Sequence, residues 1–254
     1  MKDLPVVIYT DHSISKTVCY NFAKGSNLVM CHVNNFNDFS QTIATYGILR
    51  GTGDILEKVN NFYYIDHGYF KQSSRTFLNK KTNIIDLDGY FRIVFNNYMH
   101  DGLGDYPDDR LRKLNIKFLD LSKKGDYIIL SQPLGFFSKI QEADNKNWVE
   151  ETTKLIKKFS DRKIIIHNKF SKVPLDELLK KAWAFVSLQS TAGFSAMIKG
   201  VPAYFTEKNM KNINRIEEIE NPKINYSVFN NLAYGQWTLN EMQSGEAWEY
   251  LSNK

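Results

Sequence analysis

Residues 184–205, AFVSLQSTAGFSAMIKGVPAYF, read as strand, turn, helix and strand. Ala184 to Ser187 is a short apolar run with the length of a buried strand. A turn of small hydroxyl residues follows, and Gly193 to Lys199 has the character of a short helix. Gly200 ends that helix, and Val201 to Phe205 starts the next strand. Strands joined through a helix in this way run parallel, so the stretch predicts one βαβ step of a parallel sheet.

Working outward, the same rhythm recurs on the N-terminal side. Tyr127 to Ser131 reads as a strand. Trp148 to Phe159 reads as a helix with Val149, Leu155, Ile156 and Phe159 on its apolar face, and Lys163 to His167 as a strand. Pro174 stands where a first helical residue belongs and opens a helix from Leu175 to Trp183. The first half shows a parallel pattern of its own. It has strands at Leu4–Tyr9, Leu28–Val33, Ile43–Tyr46 and Phe62–Asp66, with helices at Ile14–Lys24 and Asp54–Val59. Residues 67–90 look polar and irregular, Tyr90 to Asn97 alternates like a strand, and Asp101 to Asp109 reads as a surface loop. Lys123 to Asp126 is the candidate linker, giving domains over 1–124 and 125–254. Near the end, Thr238-Leu239-Asn240-Glu241 matches a capping box and predicts a last helix, packing back, to Leu251. The expected fold is α/β: two Rossmann-like halves with a cleft between them.

Composition narrows the function without choosing it. The formal net charge is +5 over 254 residues, with lysines in scattered pairs such as Lys80-Lys81 and Lys157-Lys158. Such pairs fit solvated faces, and a modest positive field still allows a polyanionic partner. No apolar run approaches the roughly 20 residues of a membrane span. The first ten residues lack a signal-peptide pattern, and Cys19 and Cys31 show no metal-ligand spacing. A reduced, cytoplasmic setting is expected.

Ligands of open parallel sheets sit beyond the carboxyl ends of the strands. In the second half that edge carries Ser190, Thr191 and Gly193, where backbone N–H groups and hydroxyls suit a diphosphate. A Ser or Thr capping an ordinary strand–helix turn reads the same. Gln132 and Gly135 follow the Tyr127–Ser131 strand, and His167 and Lys169 close the next one; a plain turn and a structural histidine fit these positions as well. In the first half, Asp66-His67-Gly68-Tyr69-Phe70 puts a carboxylate and an imidazole at a strand end, placed as a general base would be or as a turn cap. Asp11-His12 is a further pair at that edge. Gly47 to Gly53 lacks the full phosphate-loop pattern, and no H-E-x-x-H, C-x-x-C or G-x-S-x-G occurs, which weakens NTPase, metalloprotease, redox and hydrolase readings.

Taken together, these segments resemble the GT-B glycosyltransferases, especially the capsule-polysaccharide type related to Kdo transferases. The matching pieces are Tyr46-Gly47, Asp66-His67-Gly68-Tyr69-Phe70, Ser190-Thr191-Ala192-Gly193-Phe194-Ser195-Ala196 and the late Tyr234-Gly235-Gln236-Trp237-Thr238. Ser195 stands where that family often has Glu, and His67 replaces a second acidic residue. In size and composition the chain is also similar to phage enzymes that glycosylate hydroxymethylated DNA bases. The resemblance implies a UDP-type nucleotide sugar as co-substrate, held by Gln132, Gly135, His167, Lys169, Ser190, Thr191 and Gly193. It implies Asp66 as base with His67 beside it, and no required metal or other cofactor. The preferred acceptor is a hydroxymethylated base in double-stranded DNA, with Tyr69 and Phe70 stacking on the displaced base. The alternatives are a surface-polysaccharide acceptor and a non-catalytic nucleotide- or DNA-binding module.

Overall fold

In the computed structural model, residues 4–72, 74–79, 84–121, 124–133, 145–210 and 213–253 are described. The chain divides into two compact units, Met1–His100 with Ala233–Lys254, and Asp101–Leu232.

The first unit begins with β1 (Val6–Tyr9), α1 (Ser13–Ser26), β2 (Met30–His32), β3 (Ile43–Tyr46), α2 (Thr52–Leu56) and β4 (Phe62–His67). These four strands are parallel, and β1 lies between β2 and β3. Two antiparallel strands follow, β5 (Ser74–Asn79) and β6 (Ile84–Asp88), then β7 (Tyr90–Phe95), which pairs antiparallel with β4. The stretch expected to be irregular over 67–90 therefore carries a pair of antiparallel strands, with Phe77 opposite Ile85. Period 3.6 explains α1: Val18, Cys19, Phe22 and Ala23 are buried against Val7, Ala44, Ile65 and Phe91 of the sheet. The helix stops at Asn27, whose left-handed φ of 52° lets its N–H donate to the Ala23 carbonyl.

The second unit holds α3 (Asp109–Leu114), β8 (Tyr127–Ser131), α4 (Asn145–Lys157), β9 (Lys163–His167), α5 (Leu175–Leu179), β10 (Ala182–Ser187), α6 (Thr191–Ile198), β11 (Ala203–Phe205) and most of α7 (Ser227–Tyr234). Its sheet is wholly parallel in the order β11-β10-β8-β9. One face packs Ile128, Leu130, Val186 and Tyr204 on Trp148 and Ile156 of α4. Phe205 leaves the other face and meets Phe194 of α6 at 5.2 Å. Apolar burial on both faces is what a parallel sheet demands of its strands. Trp183, expected in a helix, belongs to β10.

The chain then returns to the first sheet through β12 (Gln236–Thr238), followed by α8 (Leu239–Ser244) and α9 (Glu246–Ser252). β12 pairs antiparallel with β7, with Trp237 opposite Phe91. The capping box is present, since Glu241 N–H donates to Thr238 Oγ1 and Thr238 N–H to Glu241 Oε2. Gly245, at φ 91°, splits the single helix expected up to Leu251 into two.

These contacts correct the expected division after residue 124. Residues 233–254 complete the first sheet and its core. Residues 101–121 join the second unit, where Leu119 N–H donates to the Ile198 carbonyl at 2.8 Å and Phe118 packs on Phe229 at 4.7 Å. Asn231 Nδ2 holds the same segment by donating to the Gly102 and Gly104 carbonyls. Among the described residues, no helix is long and apolar enough to cross a membrane.

Candidate functional site

In the second sheet the chain leaves β8 toward β9 on one side, and leaves the neighbouring strand β10 toward β11 on the other. Loops that part at such a point open a crevice at the carboxyl ends. Gln132 follows β8 there, with its N–H donating to the His167 carbonyl at 2.8 Å and its Oε1 accepting from Asn168 Nδ2 at 3.3 Å. His167 Nε2 lies 3.2 Å from the Val173 carbonyl and donates to it, so this ring is engaged by its own loop. Lys169 is exposed in the turn after it. Gly135 lies outside the described residues.

The β10–α6 junction holds the remaining candidates. Ser190 is the N-cap of α6, its Oγ accepting from Ala192 N–H at 3.2 Å, while Gly193 N–H donates to the Ser190 carbonyl at 3.0 Å. Two of the N–H groups expected to cradle phosphate are thus already bonded to Ser190. Gly193 lies inside α6, beginning at Thr191, and a Cβ there would come 2.6 Å from Phe205 Cζ. Its missing side chain serves helix-on-strand packing. The unspent polar groups are neighbours that the sequence reading passed over. Ser187 is 1% exposed, and its hydroxyl, like both amide atoms of Gln189, has no hydrogen-bond partner among the described residues. An unpartnered buried polar group costs about 1–3 kcal/mol, which makes three such atoms on residues two apart in sequence notable.

In the first sheet, Asp66 and His67 end β4. Asp66 Oδ2 accepts from Tyr64 Oη at 2.8 Å and from Arg92 Nη2 at 2.9 Å, and its Oδ1 accepts from His67 N–H at 2.8 Å. Arg92 is nearly sealed from solvent and also donates to the His67 and Tyr98 carbonyls. Burial works to lower the Arg92 pKa, but the Asp66 carboxylate, with Tyr64 and Tyr69, outweighs it and leaves it raised. Asp66 is therefore a clamped carboxylate. The His67 ring stacks on Phe91, and its Nε2 lies 3.3 Å from Tyr46 Oη. Burial, and then the Asp66 charge, push the Tyr46 pKa up, so that hydroxyl keeps its proton.

One expectation changes here. Tyr69 and Phe70 are 2% and 3% exposed, so neither can stack on a displaced base. Their N–H groups both donate to Gln236 Oε1, at 2.8 and 3.0 Å. Gly68 is required because a Cβ would come 2.8 Å from the Tyr90 carbonyl oxygen as well as 2.9 Å from Gln236 Oε1. Two segments far apart in sequence, 66–70 and 234–238, thus form one structural knot. Thr52, within the Gly47–Gly53 turn, donates to the Gly47 and Leu49 carbonyls and closes that turn on itself. Asp11 faces His32: Nδ1 of that ring accepts from Asn34 N–H, and Nε2 lies 3.4 Å from Asp11 Oδ1, a charge contact with an exposed carboxylate. The signal for His32 was its place at the end of the second strand, on the same edge.

No protein-family model and no curated protein matches the chain. Among solved structures it is similar to a beta Kdo 2,4 transferase of KpsC from Thermosulfurimonas dismutans, at 12% identity and TM-score 0.47, over 92% of this chain and 91% of that one. It is also similar to the beta Kdo 2,7 transferase of the same KpsC, at 11% identity and TM-score 0.45, over 97% and 99%. The functional reading rests on the residues of the site.

Proposed function

We propose that the chain is a GT-B-type glycosyltransferase that moves a sugar from a nucleotide donor to a hydroxyl group of a glycan. The observation that carries this is the trio of unspent polar atoms on Ser187 and Gln189, at the point where the second sheet's connections part. A glutamine amide offers one donor and one acceptor side by side, which matches the edge of a pyrimidine base such as uracil. Ser190 and Thr191, at the start of α6, face the donor's ribose and phosphates. Lys169 supplies a mobile positive charge for the leaving phosphate.

In the first unit, the His67 imidazole acts as the general base that takes the acceptor's proton. Asp66, held by Arg92 and Tyr64, positions His67 through its backbone N–H and does not itself act as base. A glycan acceptor is favoured over DNA because the aromatic platform a flipped base needs, Tyr69 and Phe70, is spent in the core.

Titration calorimetry and thermal shift with UDP, CMP and their sugar conjugates test the donor half. The wild type is expected to bind one of these series and gain apparent stability by mass action. Gln189→Ala should weaken that affinity roughly tenfold or more, since a paired polar group is worth about 1.5 kcal/mol or above against a polar ligand. The ligand-free variant should be no less stable than wild type, because it loses an unpartnered amide. Absence of binding by every nucleotide and nucleotide sugar would overturn the assignment.

A further inference from the structure

Within the second unit, a groove of about 610 Å³ opens between α3, the segment after it, and the start of α7. Its apolar wall is aromatic: Phe118 and Tyr226 meet edge to face at 5.4 Å, and Tyr226 is 41% exposed. Its polar lining is made by Asp108, Arg112, Asn115 and Asn230. None of these residues belongs to the strand-end site. The volume falls within the usual range of small-molecule sites.

We infer that this groove binds a neutral oligosaccharide. A sugar ring presents apolar C–H faces and a rim of hydroxyls that both donate and accept. The exposed Tyr226 ring offers a flat surface to the first. The amides of Asn115 and Asn230 make no hydrogen bond among the described residues, and each supplies a donor and an acceptor to the second. Arg112 and Asp108 stand 2.8 Å apart as an exposed pair, donors beside acceptors, which suits adjacent hydroxyls. Because the two charges cancel, the groove lacks the excess positive charge that a phosphate or an acidic glycan needs. The choice of a sugar as ligand rests on the glycosyltransferase reading, in which the groove holds acceptor chain away from the reacting end. The groove's chemistry itself does not depend on the donor site.

The test uses the full chain and three neutral tetrasaccharides, of the malto, cello and N-acetylchito series, with a heparin tetrasaccharide as acidic control. Ligand-observed NMR and chemical-shift mapping should show one neutral series binding, with shifts centred on Tyr226 and Phe118. Arg112→Ala and Asn230→Ala, both at positions that keep the packing, should each weaken that binding by fivefold or more and leave the thermal midpoint unchanged. Binding of none of the neutral series, preferential binding of the heparin fragment, or unaltered affinity in both variants would each overturn the proposal. Nucleotide binding measured on the same samples separates the two readings. Nucleotide bound without glycan fails the groove alone, whereas glycan bound without nucleotide fails the donor site alone.

Discussion

Arg92 shows how far one residue commits a local structure. Its guanidinium is buried and bonded to Asp66 and to two backbone carbonyls, and it lies 5.5 Å from the centre of the Tyr64 ring. Removing one partner of a buried ion pair leaves an uncompensated charge and costs about 3–5 kcal/mol. Arg92→Leu should therefore lower the urea midpoint by an amount equivalent to several kcal/mol. Adding Asp66→Asn should restore part of that loss, because the stranded carboxylate is then neutral. An unchanged midpoint in Arg92→Leu would show that the pair contributes nothing to folding. Little of this was legible in the sequence. Asp66 and His67 announce themselves by type and by their place at a strand end. Their clamp comes from β7, and pairing between distant residues leaves no mark on local spacing. Gly193 is similar: its turn is readable, but the Phe205 ring it makes room for lies on the following strand.

At the scale of elements, the parallel strands were readable because burial on both faces forces continuous runs of Val, Ile and Leu, as in Val6–Ile8 and Ile128–Leu130. Of the antiparallel additions, β7 was readable as a strand, whereas β5, β6 and β12 were not. β12 has three residues, and its partner β7 lies at the far end of the first stretch of chain, so neither period nor length could reveal the pairing. The same limit moved the domain boundary. One close contact now makes the C-terminal helices testable. A Cβ on Gly25 of α1 would collide with the Met242 carbonyl and come 2.7 Å from Gly245 N, so α1 and α8 touch backbone to backbone. Gly25→Ala is expected to force α8 and α9 away from α1. Hydrogen exchange should then quicken over residues 239–252, with a loss of about 1–3 kcal/mol as in other overpacked sites. Unchanged protection there would mean that the helices seat themselves some other way.

The molecule as a whole should be sensitive to alkali. Burial pushes the Cys19 thiol up to about 12 and, with Glu57 nearby, the Tyr98 hydroxyl to about 12. Tyr64 is raised further, by burial and then by Asp66, and Tyr204 is raised by burial and then by Glu218 and Glu220. Each keeps its proton in the native state at a pH where the unfolded chain has released it, since the ordinary values are 9.0 for the thiol and 10.0 for the phenols. The stability these groups contribute is complete below about pH 9 and is lost as the pH climbs toward their native values. Thermal midpoints should hold steady up to that point and then fall. The tyrosinate absorbance of these buried rings should appear only together with unfolding. Smooth ionisation of all tyrosines near their ordinary value, with the fold intact, would contradict this burial.

The first unit is drawn from two separated stretches of chain, with the second unit continuous between them. During synthesis this reverses the usual order. The first hundred residues emerge early, yet their sheet lacks β12, and the core around Phe22 and Phe91 lacks Trp237 and Met242. The second unit has nearly all it needs by residue 232, so it is free to fold on the ribosome while the first waits half-finished with an apolar face and an unpaired strand edge. Unpaired strand edges and exposed apolar faces of that kind favour aggregation until the chain is complete.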